Sequence, residues 1–266
     1  MPIFLKNLLI QSAMAGWSDG RFCRAAAEAG AAMVTLGGYN ADGPTHRAGL
    51  HVGKKRREFP IRPSALPEHI RKEADVARAD GVAICVNLRF AAPRELAKLC
   101  RRLVGTVDVI ELNAHCRQQE FVEVGAGEGL LSRPGVLARA VSASSRYLPT
   151  LVKARAMCIP PGLPSQLEDS GALALHLDLM KPGHPGPDIR LLRQTTSSTD
   201  LPIIGNNSVT DEESFLRMLS NGATMASMAR VLLHGFGPIR AIVSSRRCVA
   251  AMARALPLTS RGFRLG

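Results

Sequence analysis

The fold is decided by residues 202–235, which read PIIGNNSVTDEESFLRMLSNGATMASMARVLLHG. An apolar run, a small polar turn and a helical pattern follow one another here, and the same order then begins again. Residues 210–213 (TDEE) place acidic side chains at the positive end of the helix, and Gly222 follows its end. The stretch therefore predicts two consecutive strand–helix units.

The same alternation extends over most of the chain. Short apolar runs predict eight strands: LLIQSA (8–13), AMVTL (32–36), VAICVN (82–87), VDVIEL (107–112), TLVKAR (150–155), ALALHLD (172–178), PIIG (202–205) and ATMASM (223–228). Helical patterns follow at 19–30, 67–80, 93–104, 134–147, 187–194, 211–220 and 238–255. Near-continuous apolar strands that alternate with helices indicate a parallel sheet covered by helices. Eight units in 266 residues predict an α/β fold of one (β/α)₈ TIM barrel.

A doubly wound open sheet is the alternative architecture. It usually carries G-x-G-x-x-G after the first strand, whereas SAMAGWSDG (12–20) lacks that pattern. We assign residues 1–240 to the barrel and residues 241–266 to a C-terminal helix and basic tail of the same domain. Residues 38–66 contain no convincing element, and we expect either a lid that contacts substrate or a loosely ordered surface loop.

The composition limits the class of protein. The net charge is +12, which fits an RNA or other polyanion partner, or an arginine-rich chain with solvated basic faces. No apolar segment has the length of a membrane span, and the N-terminus resembles a buried strand more than a signal peptide. The six cysteines form no C-x-x-C pair or zinc-type cluster. We therefore expect a cytoplasmic protein with free thiols and no metal site.

Polar residues interrupt or end the apolar runs, which on a barrel places them at one mouth. They are Ser12, Met14, Asn87, Glu111, Asn113, Cys116, Lys153, Arg155, His176, Asp178, Asn206, Asn207 and Arg230. The turns after the last two strands, with Arg230, are candidates for a phosphate site. Lys153 is either a nucleophile, a donor to an electron-rich ring or a strand-end lysine reaching water. His176 is either structural or catalytic.

Several of these segments together resemble the dihydrouridine synthases, flavin barrels that reduce uridine in transfer RNA. QSAMAGWSDGRFCR (11–24) is similar to their first-strand motif, and ELNAHCRQQEFVEVGAGEGLL (111–131) is similar to their fourth-strand motif. LVKAR (151–155), LHLD (175–178), IIGNNS (203–208) and MAR (228–230) fall at the later strands in the family's order. The resemblance runs from about residue 8 to 235. The Asn-x-x-Cys strand end also resembles the wider dihydroorotate dehydrogenase group.

This resemblance implies FMN as cofactor and NAD(P)H as a transient electron donor. The residues it assigns to the flavin ring are Ser12, Ala13, Met14, Asn87, Lys153 and His176. Those it assigns to the phosphate are Asn206, Asn207, Ser208, Ala229 and Arg230. Asn113 would face the substrate and Cys116 would supply a proton, because a thiol with a pKa near the usual value of about 8.5 is still protonated at neutral pH.

The chain departs from this family at several positions. Arg117 replaces a proline, Glu120 replaces a lysine expected to meet RNA, and His115 replaces a small residue beside the thiol. His115 either tunes Cys116 or is itself the acid. Asp178 replaces a basic residue, and Asn207 and Ala229 replace glycines of the phosphate loop. The helical domain that grips transfer RNA in the family has no counterpart after the eighth predicted strand.

Three hypotheses follow. The first is an FMN-dependent oxidoreductase that reduces or oxidises a C=C or C=N bond of a small planar heterocycle, pyrimidine- or pterin-like. The second is a transfer RNA dihydrouridine synthase that uses its basic surface in place of the missing domain. The third is a catalytically silent barrel that binds RNA or a protein partner.

Overall fold

The computed structural model describes residues 3–255 and 263–265. Ten strands lie in these residues: β1 (Ile3–Leu5), β2 (Leu9–Gln11), β3 (Met33–Asn40), β4 (Ala83–Arg89), β5 (Val109–Ala114), β6 (Thr150–Arg155), β7 (Ala174–Asp178), β8 (Ile203–Asn206), β9 (Met225–Met228) and β10 (Phe263–Leu265). The α-helices are α1 (Gly20–Ala29), α2 (Gly43–Val52), α3 (Leu66–Ala77), α4 (Pro93–Leu103), α5 (Gln119–Glu123), α6 (Pro134–Ser145), α7 (Leu163–Asp169), α8 (Ile189–Thr196), α9 (Glu212–Ser220), α10 (Gly237–Ser244) and α11 (Arg246–Ala255).

Strands β2 to β9 close into a barrel in chain order, and every neighbouring pair is parallel. The first and last strands of the barrel meet through the pairing of Ile10 with Ser227. The predicted single (β/α)₈ barrel is therefore confirmed, and the open sheet is excluded.

The sequence pattern explains the packing of the helices against this barrel. In α4 the buried residues Leu96, Leu99, Cys100 and Leu103 recur at helical spacing, so one face of the helix covers the strands. Asp211 caps α9, since its side chain accepts from the backbone N–H of Ser214. All eight barrel strands are buried along their whole length, as the apolar runs predicted.

The expectation that residues 38–66 contain no element is wrong. Helix α2 begins after Asp42, whose carboxylate accepts from the N–H of Thr45 in a capping box. The other carboxylate oxygen of Asp42 accepts from the N–H groups of Ala91 (2.7 Å) and Ala92 (2.8 Å), which attaches the start of α2 to the end of β4. Sequence inspection missed the helix because glycine, proline and histidine weaken its apolar pattern.

The C-terminal region also differs from its prediction. The helix expected over 238–255 is divided at Ser245, whose backbone is extended, into α10 and α11. Strands β1 and β10 pair outside the barrel, and residues 256–262 and 266 of the predicted basic tail lie outside the described residues. The assignment of residues 1–240 to the barrel and 241–266 to a C-terminal helix and tail of the same domain stays a prediction. Across the described residues, no helix combines the length and apolar character that crossing a bilayer requires.

Candidate active site

A cavity of about 830 Å³ opens at the carboxyl ends of the barrel strands. Its wall includes most of the residues predicted from the sequence: Ala13, Met14, Asn113, His115, Cys116, Lys153, Asn206, Asn207, Ser208, Ala229 and Arg230. The predicted flavin ligands Ser12, Asn87 and His176 lie beneath this wall, where each is at most 1% exposed. They therefore support the residues of the cavity from below.

A buried carboxylate organises the floor of the cavity. Glu111, on β5, accepts from the amide of Asn87 at 2.6 Å and contacts the Nδ1 atom of His176 at 2.5 Å. Burial alone would raise the pKa of Glu111, but His176, Lys153 and Asn87 together lower it to about 2. Burial, and then the Lys153 cation, lower the pKa of His176 to about 4. At neutral pH the pair is consequently a carboxylate and a neutral imidazole that donates through Nδ1.

The second layer of the floor consists of hydroxyl groups. Since Nδ1 of His176 carries the proton, its Nε2 accepts from the hydroxyl of Ser227 at 2.7 Å. Ser227 in turn accepts from the amide of Asn206 at 2.7 Å, and the hydroxyl of Ser12 lies 3.0 Å from it. The ammonium of Lys153 donates to Ser12 at 3.1 Å. Lys153 is 3% exposed and lines the cavity, so its ammonium lies where a bound ring would accept from it.

Cys116 lies under a small apolar roof. It packs with Ala48 and Val52 of α2 and with Phe121 and Ala126 near α5, in a cluster separate from the main core. Lys55, just after α2, pairs with Glu120 of α5 at 3.0 Å. Glu120, which stands where the dihydrouridine synthases have a lysine, therefore links the two helices of the roof. The helix that sequence analysis missed therefore shields the thiol on one side.

Gly127, from the Gly-Ala-Gly of the fourth-strand motif, lets the chain return close to Cys116. Its φ is +55°, and a Cβ there would lie 2.3 Å from the carbonyl oxygen of Cys116. The same carbonyl accepts from the N–H of Glu128 at 2.8 Å. On the other side, the side-chain oxygen of Asn113 accepts from the N–H of Cys116 at 3.0 Å. The backbone on both sides of the thiol is thus fixed.

His115 and Asp178 lie beside this thiol. The Nε2 atom of His115 is 3.3 Å from Oδ2 of Asp178, whose Oδ1 accepts from the amide of Asn207 at 3.2 Å. Burial opposes protonation of His115, but Asp178 and Cys116 raise its pKa above the usual value. Burial also opposes ionisation of Cys116, yet His115 and Arg89 lower the pKa of the thiol to about 7. The thiol, the imidazole and the carboxylate therefore influence one another's protonation, while the Nδ1 atom of His115 has no hydrogen-bond partner among the described residues.

Sequence analysis missed a second buried pair at the same rim. Arg89, at the end of β4, is fully buried, donates to the carbonyl of Gly38 at 2.6 Å and contacts both carboxylate oxygens of Glu58, at 2.5 Å and 3.2 Å. Its guanidinium carbon lies 4.2 Å from the ring centroid of Phe121. Arg89 could have been included among the site residues, because it is a charged residue close to the end of a predicted strand. Nothing in the sequence around Glu58 indicates that it pairs with Arg89.

The wall of the cavity fits a phosphorylated flavin. The backbone N–H groups of Ser208, Ala229 and Arg230 have no acceptor within the part of the chain that the structure describes, and free N–H groups beside an arginine suit a phosphate. The side chains of Asn206 and Asn207 are directed elsewhere, to Ser227 and Asp178. The fit to a phosphate consequently rests on backbone N–H groups and Arg230, and the fit to a flavin ring rests on Lys153.

Fold and site together define a (β/α)₈ barrel with a polar, strongly basic cavity at the carboxyl ends of its strands. No family model matches the sequence. The uncharacterized protein MJ0144 of Methanocaldococcus jannaschii is 32% identical over 239 residues, which cover 87% of this chain and 91% of that protein. The chain belongs to the same family as this archaeal protein.

Solved structures agree with the fold. FabK from Thermotoga maritima matches with a TM-score of 0.55 and 16% identity over 86% of this chain, and a point mutant of FabK matches with a TM-score of 0.54. The chain spans only 60% and 62% of the lengths of these two structures. At this identity the likeness shows the barrel and carries no assignment of activity.

Proposed function

We propose that the protein is an FMN-dependent oxidoreductase that acts on a C=C or C=N bond of a planar heterocycle, with NAD(P)H as the electron donor. One observation carries the proposal: Lys153, Cys116 and the β8 and β9 turns with their free N–H groups all line one cavity. Its volume of about 830 Å³ lies within the range of about 300–1,000 Å³ typical of ligand pockets. The resemblance in sequence described above supports the same cofactor.

The chemistry that FMN would supply when bound at this site is hydride transfer to one atom of the double bond. The residues of this chain would do the rest. Ser208, Ala229 and Arg230 would hold the phosphate, and Lys153 would donate to the ring. Asn113 would face the substrate from the end of β5.

The atom that does not take the hydride needs a proton, and Cys116 with His115 would provide it. The pKa of the thiol is lowered and that of the imidazole is raised, so either group could deliver the proton near neutral pH. Asp178 would act as a positioning residue, because it holds the imidazole by Nε2. In the reverse direction the same pair would accept the proton.

The runner-up is reduction of uridine in transfer RNA. The observation in its favour is the set of basic side chains at the rim, Arg56, Arg57 and Arg117. The ion pair of Glu120 with Lys55 opposes it, because an acid engaged in the roof replaces the family's RNA-facing lysine. The small heterocycle is therefore the first choice.

Flavin binding tests the proposal. The purified protein should quench FMN fluorescence on titration and gain thermal stability, and Lys153→Met should weaken both effects. Arg139→Met, on the exposed face of α6, is the control for loss of one cation. A protein that neither binds nor is stabilised by FMN excludes both oxidoreductase hypotheses and leaves the silent barrel. NADPH oxidation measured with and without unmodified transfer RNA then separates the first choice from the runner-up.

A further inference from the structure

The charges that line the cavity do not balance. Its wall carries seven cationic side chains and one carboxylate, Asp178. The cations are Arg56, Arg57, Arg89, Arg117, Lys153, Arg155 and Arg230. Three of them have carboxylate partners within 4 Å: Arg56 and Arg89 pair with Glu58, and Arg155 pairs with Glu128 and Asp178.

Four cations of the cavity have no such partner among the described residues: Lys153, Arg57, Arg117 and Arg230. In the proposed function Lys153 donates to the flavin and Arg230 binds its phosphate. Two guanidinium groups, of Arg57 and Arg117, are left over after the cofactor is accounted for.

Arg57 is held in place although it is exposed. Its guanidinium carbon lies 4.0 Å from the ring centroid of Trp17. Its backbone presses against Gly16, where a Cβ would lie 2.7 Å from the carbonyl carbon of Arg57 and 2.8 Å from the nitrogen of Glu58. Because Glu58 is anchored on the buried Arg89, this short segment is fixed from two sides. Ordering an arginine costs side-chain entropy, and no carboxylate of the described chain offsets that cost here.

Arg117 approaches the cavity from the neighbouring strand end. It follows Cys116 directly, at the end of β5, and β5 pairs with β4, which carries Arg89. In the closed barrel β5 lies opposite β9, which precedes Arg230. Arg117 therefore stands on the thiol side of the cavity, away from the phosphate turns, whereas Arg57 lies beside Gly16 and Trp17, which follow β2.

We infer that the substrate of this site is an acid, a planar heterocycle that carries its own carboxylate or phosphate group, and that Arg57 and Arg117 bind this group. Guanidinium groups bind both anions with charge-assisted hydrogen bonds, often bidentate. The partly exposed ring of Trp17 supplies an apolar surface beside Arg57. The inference rests on the proposed function, since it assigns Arg230 and Lys153 to FMN.

Two matched pairs of probes test it on protein saturated with FMN. The first pair is uridine 5′-monophosphate and uridine, and the second is pterin-6-carboxylate and the uncharged 6-hydroxymethylpterin. Binding is followed by the change in flavin absorbance. At least one acid should bind about tenfold more tightly than its neutral partner, the factor expected for one charge-assisted contact. Arg57→Gln and Arg117→Gln should each remove most of this preference.

The matched control is Arg139→Gln, which removes the same charge from the exposed face of α6 and should keep the preference. FMN affinity is measured first in each variant, so that a failure of the proposed function can be told from a failure of this inference. Failure to take up FMN contradicts the proposed function, whereas normal uptake without any preference for an acid contradicts only this inference. Three other outcomes would overturn the inference of an acidic substrate. The preference for the acid could survive both substitutions, neither acid could bind, or binding could be confined to transfer RNA.

Discussion

The Nε2 atom of His115 lies 3.3 Å from Oδ2 of Asp178, and the amide of Asn207 reaches the other oxygen of the same carboxylate at 3.2 Å. Each of these three residues departs from the sequence pattern of the dihydrouridine synthases. They come from three different strand ends, yet they are in contact. These three residues therefore form one connected unit beside Cys116.

The first prediction concerns the reactivity of Cys116. Its rate of alkylation by iodoacetamide should rise with pH with a midpoint near 7, because the neighbouring cations lower the pKa of the thiol to about 7. His115→Gln should raise the midpoint, since it removes a group that stabilises the thiolate. Asp178→Asn should raise it as well, because His115 is protonated less readily without this carboxylate. Mass spectrometry of the Cys116 peptide gives the rate. Burial and Glu128 raise the pKa of Cys158 to about 11, so Cys158 is an internal comparison that should react slowly at neutral pH.

Glu213→Gln is the control for Asp178→Asn, because it removes an exposed carboxylate that does not line the cavity. If the midpoint for Cys116 stays near 7 in both His115→Gln and Asp178→Asn, the protonation of the thiol is not coupled to His115 and Asp178.

The second prediction concerns Gly127. Gly127→Ala should destabilise the fold by roughly 3 kcal/mol, since it combines a left-handed backbone with a clash against the carbonyl of Cys116. Gly105→Ala is the matched control, with a φ of +76° and nothing within 4 Å of the added carbon, and it should cost only about 1 kcal/mol. Urea unfolding measures both values. Equal losses would mean that the loop does not pack on Cys116 as described.

The third prediction concerns acid stability. Below the usual histidine pKa of about 6.5 the unfolded chain binds a proton that buried His176, with its pKa lowered to about 4, does not bind. The free energy of unfolding should therefore fall as the pH drops from 6.5 to 4. The lowered pKa of Glu111 gives a further fall below the usual carboxylate pKa of about 4.3, as the pH approaches 2.

His176→Gln should flatten the first part of this profile, measured by urea unfolding at a series of pH values. His234→Gln removes an exposed imidazole and serves as the control. An unchanged slope in His176→Gln would contradict the neutral state assigned to the buried imidazole.

The fourth prediction concerns the rim. Glu58→Gln should cost about 3 kcal/mol of unfolding free energy, because it leaves the cation of fully buried Arg89 without its carboxylate. Glu68→Gln breaks the exposed pair with Arg71 and should cost less than about 1 kcal/mol. Similar small losses in both variants would show that Glu58 does not anchor the segment that carries Arg57.

The barrel could be predicted because its strands are buried on both faces, so each leaves an apolar run that turn residues interrupt. Most wall residues could be located for a related reason, since strand ends converge on one mouth. The contacts of Glu111 with His176 and of Glu58 with Arg89 join residues 65 and 31 positions apart, and no local pattern encodes such pairing. The sequence pattern did not predict helix α2, because the helix is stabilised by its cap and by packing on α5 while its own composition is weakly helical.

The roof formed by α2 and α5 also has a stereochemical consequence. Because Ala48, Val52 and Phe121 cover one side of Cys116, a flat ring can approach the sulfur only from the side of the cavity. In the proposed reaction the ring atom next to the sulfur would therefore receive its proton on one face only. A chiral product of the proposed reaction should therefore form as one enantiomer, whichever heterocycle is bound.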